Sequence, residues 1–283
     1  MLDPTDINTT RAVAESMLAI RRCRYGPMMY LRQDQYVGRS FAEYGEFSEG
    51  EVDVFRQCLR PGDVALDVGA NLGAHTVPLA QLVGPTGAVH AFEPQRILFQ
   101  ILCGNLALNE VANVRALPFA LGRAPGSTTV PPLDYRGANN FGGIPLGTTA
   151  GENVPVITLD QLGLAQVRLI KIDVEGMEID VLAGGKDTLA RCRPILYVEN
   201  DRADKAEALV AQLQEDGYRM WWHTPPLYNP NNLLGNPQNV FGNVMSFNML
   251  CLPRETATQV AGMTEITSPQ EAAAFLRGLT KGT

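Results

Sequence analysis

The chain has 283 residues, 45% of them from the set AVILMFWYC and 19% charged, which is enough for one large domain with a buried core and excludes wholesale disorder. No uncharged apolar run reaches the ~18 residues of a membrane span, and the opening MLDPTDINTT carries two acids and no apolar block, so it does not read as a secretory signal. The formal net charge of -7 disfavours a duplex nucleic-acid partner, which would show a basic footprint. The five cysteines lie far apart and form no C-x-x-C, which argues against a zinc ribbon or a disulfide framework. Reduced thiols in a cytoplasmic compartment are expected.

Residues 1–50 read as a helical or irregular cap with a helical pattern near Ala12–Arg22. From residue 51 to 252 the punctuation is that of a doubly wound α/β domain. Glu51–Leu59 predicts a helix and Pro61-Gly62-Asp63 a turn. Val64–Val68 is a short apolar run ending at glycines, hence a buried strand. A helix is expected over Gly73–Leu82, a strand over Ala88–Phe92, a helix over Arg96–Leu108 and a strand over Val114–Phe119. Such alternation implies a mostly parallel sheet covered on both faces.

Gly122–Val154 breaks the rhythm and predicts a hairpin or long loop. The rhythm resumes with a strand at Val167–Ile172, a helix over Met177–Ala190, a strand at Ile195–Val198 and a helix at Ala203–Glu215. Tyr218–Trp222 and Val244–Leu252 read as a closing antiparallel pair. Between them HTPPLYNPNNLLGNPQNVFGN, with six Asn and four Pro, must be a loop, and its length suggests a lid that is mobile until ligands bind. Residues 253–283 read as a tail with one short helix, Pro269–Leu279.

The sharpest local signal is LDVGANLGAHT, Leu66–Thr76. Gly69 and Gly73 allow a tight turn and close approach of a ligand, and the following helix start offers free N–H groups. Glu93, at the end of the next strand, can accept the two hydroxyls of a ribose. A dinucleotide fingerprint needs G-x-G-x-x-G, but Asn71 stands at the middle glycine. Asp67 precedes Gly69 and would repel a pyrophosphate, while it could hold the ammonium of an amino-acid-bearing nucleoside. The pattern favours S-adenosylmethionine over NAD. The expected cofactor-binding set is Asp67, Gly69, Ala70, Asn71, Gly73, Glu93, Pro94, Ala120 and Asp173.

PGDVALDVGANLGAHTVPLA, AFEPQ and LIKIDVEGMEIDVLAGG together resemble the FkbM family of S-adenosylmethionine-dependent methyltransferases. The resemblance implies a Rossmann-like class I methyltransferase sheet of seven strands, mostly parallel with an antiparallel closing strand. It also implies methylation, mostly of oxygen on sugars and other secondary metabolites, with a small-molecule or glycan acceptor. Asp67, Gly69, Asn71 and Gly73 match the family's first motif, Glu93 its ribose acid, and Asp173, Glu175 and Glu178 its fourth-strand motif.

Methyl transfer from a sulfonium to a hydroxyl needs an in-line nucleophile and a route for its proton. The carboxyl ends of the strands supply Lys171, Asp173 and Glu175 from one, and Glu199 and Asn200 from the next. Asp173, Glu199 and Asn200 form an oxygen set suited to Mg²⁺, similar to catechol-type methyltransferases. His223, at the end of the WW strand, is the candidate base, with Asp173, Glu175 and Lys171 as further catalytic candidates. Two competing readings are a nicotinamide-dependent oxidoreductase, which Asp67 and the missing G-x-G disfavour, and a non-catalytic adenosyl-binding module, which the acidic cluster disfavours.

Overall fold

The computed structural model describes residues 16–279. The first described elements are a hairpin, β1 (Leu18–Cys23) and β2 (Gly26–Leu31), and the helices α1 (Val37–Tyr44) and α2 (Glu49–Cys58). The helix expected near Ala12–Arg22 is therefore corrected from Leu18 onward, and residues 12–15 lie outside the described residues. Gly26 takes φ +125° at the tip, which reverses the chain and lets two extended runs pair.

The α/β part follows as β3 (Val64–Val68), α3 (Thr76–Val83), β4 (Ala88–Phe92), α4 (Arg96–Leu108) and β5 (Val114–Leu117). An insertion of three short strands comes next: β6 (Ala120–Leu121), β7 (Gly126–Val130) and β8 (Glu152–Ile157), with β7 and β8 an antiparallel hairpin. The main sheet then resumes with β9 (Leu169–Ile172), α5 (Glu178–Ala183), α6 (Lys186–Cys192), β10 (Ile195–Glu199), α7 (Ala206–Glu215), β11 (Tyr218–His223) and β12 (Asn248–Pro253). The single helix expected over Met177–Ala190 is two, broken at Gly184-Gly185. There the backbone passes so close to its neighbours that a β-carbon would meet the Gly122 carbonyl oxygen at 2.1 Å or Leu159 at 2.4 Å.

The eight-stranded sheet has the order β13-β11-β12-β10-β9-β3-β4-β5, where β13 is Thr264–Ile266. Strands β5, β4, β3, β9 and β10 are mutually parallel, and β12 runs antiparallel between β10 and β11. These are the seven expected strands with their antiparallel closing strand. The eighth, β13, comes from beyond residue 253 and pairs with β11. The helix α8 (Pro269–Leu279) follows it and packs on α7, so the segment read as a tail extends the sheet.

Alternation along the strands divides the core. Leu66, Val68, Ile170, Ile172, Leu196 and Val198 join the layer that includes α5, α7 and α8. Ala65, Leu169, Tyr197, Trp221 and Leu250 face Val54, Phe55, Leu79 and Val83 of α2 and α3. By the same two-residue period, Asp67, Lys171 and His223 lie on this second face, toward the carboxyl ends of the strands. A row of polar side chains thus crosses the sheet under α2, with Asp67 in register with Lys171, and Lys171 with Tyr197. No helix among the described residues is long and apolar enough to cross a membrane.

Candidate active site

A cavity of about 350 Å³ opens at the carboxyl ends of β3, β4 and β9, where the crossover loops diverge. That volume is in the range of a small-ligand site. Gly69, Ala70, Asn71, Glu93, Pro94 and Ala120 are among the residues that line it. The Glu93 carboxylate is 4% exposed and accepts the backbone N–H groups of Asn71 and Gln95, each at 2.8 Å. Burial outweighs those donors and pushes its pKa up to about 7. Asn71 holds φ +52°, which turns its backbone N–H toward Glu93.

Two expected contact residues are not on the cavity wall. Gly73 lies outside it, and a β-carbon there would meet Leu102 at 2.8 Å, so its role is to let α3 and α4 approach. Asp67 is fully buried and lies behind the wall. It accepts from Thr76 Oγ1 at 2.6 Å and pairs with Lys171 Nζ at 3.4 Å. The expectation that Asp67 holds a ligand ammonium directly is thereby corrected: Oδ2 is taken by the start of α3, and Oδ1, buried without a hydrogen-bond partner, faces Lys171 and not the cavity.

The same cavity is also lined by Lys171, Asp173, Glu175 and Glu199. Lys171 Nζ donates to the Gly69 carbonyl at 2.7 Å and sits 3.3 Å from Asp173. The surrounding carboxylates hold its pKa above the usual lysine value despite burial. Glu175 is paired with Arg202. Burial first, and Asp173 second, push its pKa up to about 7. Glu199 is raised well above the usual carboxylate range by the same two causes, and its Oε2 is buried without a hydrogen-bond partner. Oxygens of Asp173, Glu175 and Glu199 lie within 4.8 Å of one another. Asn200 does not line the cavity. It follows Glu199 and so points to the opposite face, with Nδ2 on Met249 Sδ at 3.3 Å. Glu178 is removed from the chemistry too, since its Oε1 accepts the Gly176 N–H at 2.9 Å at the start of α5.

His223 does not line this cavity. It lines a separate hollow, and its Nδ1 is 2.7 Å from the Tyr197 hydroxyl. The residue the sequence reading missed is Glu51, which it treated only as the start of a helix. Glu51 is 4% exposed, lines the cavity, and lies 3.8 Å from His75 Nε2. Its signal was the charge itself: an acid on a helix whose neighbours Val52, Val54 and Phe55 are all core residues. The segment 140–146 and residues 244–248 also reach the cavity, although neither carried a motif.

The expected mobile lid is held down. Glu46 accepts from Asn229 Nδ2 at 2.7 Å and from the Leu233 N–H at 2.9 Å, and it pairs with Arg24. Tyr44 donates to the Gln238 carbonyl and accepts the Val240 N–H.

Residues 67–220 match the methyltransferase FkbM domain. The chain belongs to this family. Among curated relatives, the FkbM domain protein described here is 30% identical to the 31-O-demethyl-FK506 methyltransferase FkbM of Streptomyces tacrolimicus, over 60% of this chain and 78% of that one. It is also 30% identical to the methyltransferase sdnD of Sordaria araneosa, over 42% of this chain and 59% of that one. Among solved structures, an FkbM methyltransferase of Methylobacillus flagellatus KT aligns with TM-score 0.44 and 15% identity, over 71% of this chain and 50% of that one. A precorrin-6y C5,15-methyltransferase of Geobacter metallireducens GS-15 aligns with TM-score 0.46 and 14% identity, over 79% and 100%. Of the acids that line the cavity, Glu93, Asp173, Glu175, Glu199 and Asp201 fall in the matched segment, and Glu51 precedes it.

Proposed function

We propose that this methyltransferase moves a methyl group from S-adenosylmethionine to a hydroxyl oxygen of a small-molecule or glycan acceptor. The observation that carries the reading is the single cavity whose wall holds both the fixed Glu93 carboxylate and an acidic cluster. Glu93 presents there a carboxylate fixed by two backbone donors, as a ribose requires. A cluster of acids with Lys171 lines the same cavity, and an acceptor would bind beside it.

When bound, the cofactor supplies a methyl group on a positive sulfonium. The chain's own residues then do three things. The turn from Gly69 to Asn71 brings backbone close to the ligand. The carboxylates of Asp173 and Glu175 favour a positive centre beside them in the cavity. Asp173 also offers an oxygen, 36% exposed in its side chain, to orient an acceptor hydroxyl. The relative whose name describes O-methylation of an FK506 precursor supports oxygen as the nucleophile.

The Mg²⁺ expected from the sequence is not part of this reading. Its expected donors Asp173, Glu199 and Asn200 do not converge, because Asn200 faces away. Two of the acids that do converge already face the protein's own cations, Lys171 and Arg202. The net charge of -7 and the size of the cavity support a small acceptor over nucleic acid. The buried, unpaired Cys23, Cys58 and Cys251 support a reducing, cytoplasmic setting.

Calorimetry with S-adenosylhomocysteine, followed by a screen of labelled methyl transfer to sugars and polyketide alcohols, tests the reading. Micromolar binding and label on oxygen are expected. Binding of NADH in place of S-adenosylhomocysteine would reject it.

A further inference from the structure

Three polar side chains form a line that leads away from the cavity, and cofactor binding accounts for none of them. Glu51, in the first turn of α2, lines the cavity. Its Oε1 accepts from Ser48 Oγ at 2.6 Å, and Ser246 reaches the same carboxylate. Behind it stands Tyr197 of β10, 1% exposed, whose hydroxyl lies close enough to Glu51 and Asn248 for both to shift its pKa. That hydroxyl lies 2.7 Å from Nδ1 of His223. His223 in turn lines a second hollow of about 340 Å³, together with Pro225, Met263 and Phe275. The line therefore runs from the cavity, across the rim of the sheet under α2, to a separate opening.

We propose that Glu51 takes the proton of the acceptor hydroxyl and that Tyr197 and His223 pass it to solvent through the second hollow. The inference rests on the methyl-transfer reading above. In the transfer, the acceptor oxygen bonds the methyl carbon as the carbon–sulfur bond breaks, and that electron pair stays on sulfur. The acceptor's proton goes to the Glu51 carboxylate. It then moves to the Tyr197 oxygen as the Tyr197 hydroxyl gives its own proton to His223 Nδ1. The resulting imidazolium releases a proton from Nε2 to water, and the ring returns to the Nε2–H tautomer by exchanging its Nδ1 proton with water of the same hollow before the next turnover.

The surroundings suit each step. Burial raises the Glu51 pKa, with Asp173 adding to it and Lys171 opposing, so the carboxylate is a stronger base than one in water. His75, which faces Glu51 from the β3–α3 loop, is pushed down to about 4 by burial and by Lys171, so it stays neutral and does not quench that base. Tyr197 is held protonated, since its pKa is raised by burial and by Glu51. His223 is lowered by burial, with Glu51 and Asp53 opposing, so it is neutral and able to accept.

The first test needs no acceptor. Nitrogen-15 spectra of His223 in the free, full-length protein at neutral pH should show a bare Nδ1 and a protonated Nε2. An Nδ1–H tautomer overturns the relay, because Tyr197 could not then donate to it. The second test uses the best hydroxyl acceptor from the labelled-methyl screen. Glu51→Gln should lower kcat about 100-fold and leave S-adenosylhomocysteine affinity within about twofold. Glu51→Asp should recover a substantial part of the loss. Tyr197→Phe should lower kcat about tenfold without changing KM. Glu51→Gln at more than half the wild-type kcat overturns the assignment, and so does a Glu51→Gln protein that no longer binds S-adenosylhomocysteine. Failure of the wild-type protein to bind S-adenosylhomocysteine removes the methyl-transfer reading instead, and the proposal falls with it.

Discussion

The ends of β3 and β9 meet at Gly69 and Asp173 so closely that a β-carbon on Gly69 would lie 1.8 Å from the Asp173 carbonyl oxygen. Gly69 also sits at φ +81°, where other residues are strained. The glycine is thus what allows the cofactor turn and the acidic strand end to share one cavity. Gly69→Ala should cost about 3 kcal/mol or more of folding stability and abolish S-adenosylhomocysteine binding. Urea unfolding and calorimetry read the two effects. A variant with wild-type stability and affinity would show that the contact is not tight.

Lys171 is the buried cation that several acids share, and it is 3% exposed. Lys171→Met leaves Asp67, at 0% exposure, without its charged partner. Removing one member of a buried pair costs about 3–5 kcal/mol, because the other charge stays buried. Lys171→Met should therefore lower stability by about that amount, and adding Asp67→Asn should recover part of it. A double variant no more stable than the single one would mean that Lys171 acts through the Gly69 carbonyl alone.

The strand–helix alternation, the glycine turn and Glu93 were legible because each has a local pattern: apolar runs of five residues, a positive-φ glycine, an acid at a strand end. The hairpin at Leu18–Leu31 was not, because its single turn depends on Gly26 rather than on a repeat. Asn200 and His223 were misplaced for one shared reason. The sequence shows that a polar residue ends a strand, but the face on which it lands depends on strand alternation and register. Glu199 faces the cavity, so its neighbour Asn200 cannot. His223 shares its face with Tyr197, two strands away, and so lies behind that side chain. Glu51 was hidden because nothing within α2 shows that its covered face lies over the polar row of the sheet.

Glu93 gives a pH dependence with a definite sign. Its pKa rises from 4.5 to about 7 on folding. The folded protein therefore holds more protons than the unfolded chain between these values. The stabilising effect is complete below about pH 4.5 and is lost as pH rises to 7, a span on the order of 3 kcal/mol. Glu93→Gln should flatten that part of the stability profile. Ligand binding should run the other way, since ribose hydroxyls donate to the ionised form. S-adenosylhomocysteine affinity should rise several-fold from pH 6 to pH 8 in the wild type and stay flat in Glu93→Gln. A flat wild-type profile would mean that Glu93 does not meet the ribose.

Because Lys171 and Arg202 already supply positive charge to Asp173 and Glu175, exhaustive chelation should leave methyl transfer within about twofold of its starting rate. Turnover that collapses with EDTA and returns with Mg²⁺ would show that the three carboxylates hold a dication after all.

The long Asn-rich connection should behave as part of the fold rather than as a lid. Glu46 is 3% exposed and is the point where it is fastened, through Arg24, Asn229 and the Leu233 N–H. A second point is Tyr44, which meets Gln238 and Val240. Amide hydrogens of Leu233, Leu234 and Val240 should accordingly be protected from exchange in the free protein, since each has a partner on α1 or just after it. Glu46→Ala leaves the part-buried donors of Asn229 and Leu233 without their acceptor, at about 1 kcal/mol for each bond lost. The variant should release protection between residues 229 and 236 first, while Val240, held by Tyr44, exchanges later. The residues at 244–248 reach the cavity at the far end of the same segment. Loosening it should therefore raise KM for the acceptor more than it weakens S-adenosylhomocysteine binding, whose proposed contacts follow β3 and β4. Rapid exchange of Leu233 in the wild-type protein, at the rate of an unstructured chain, would restore the lid.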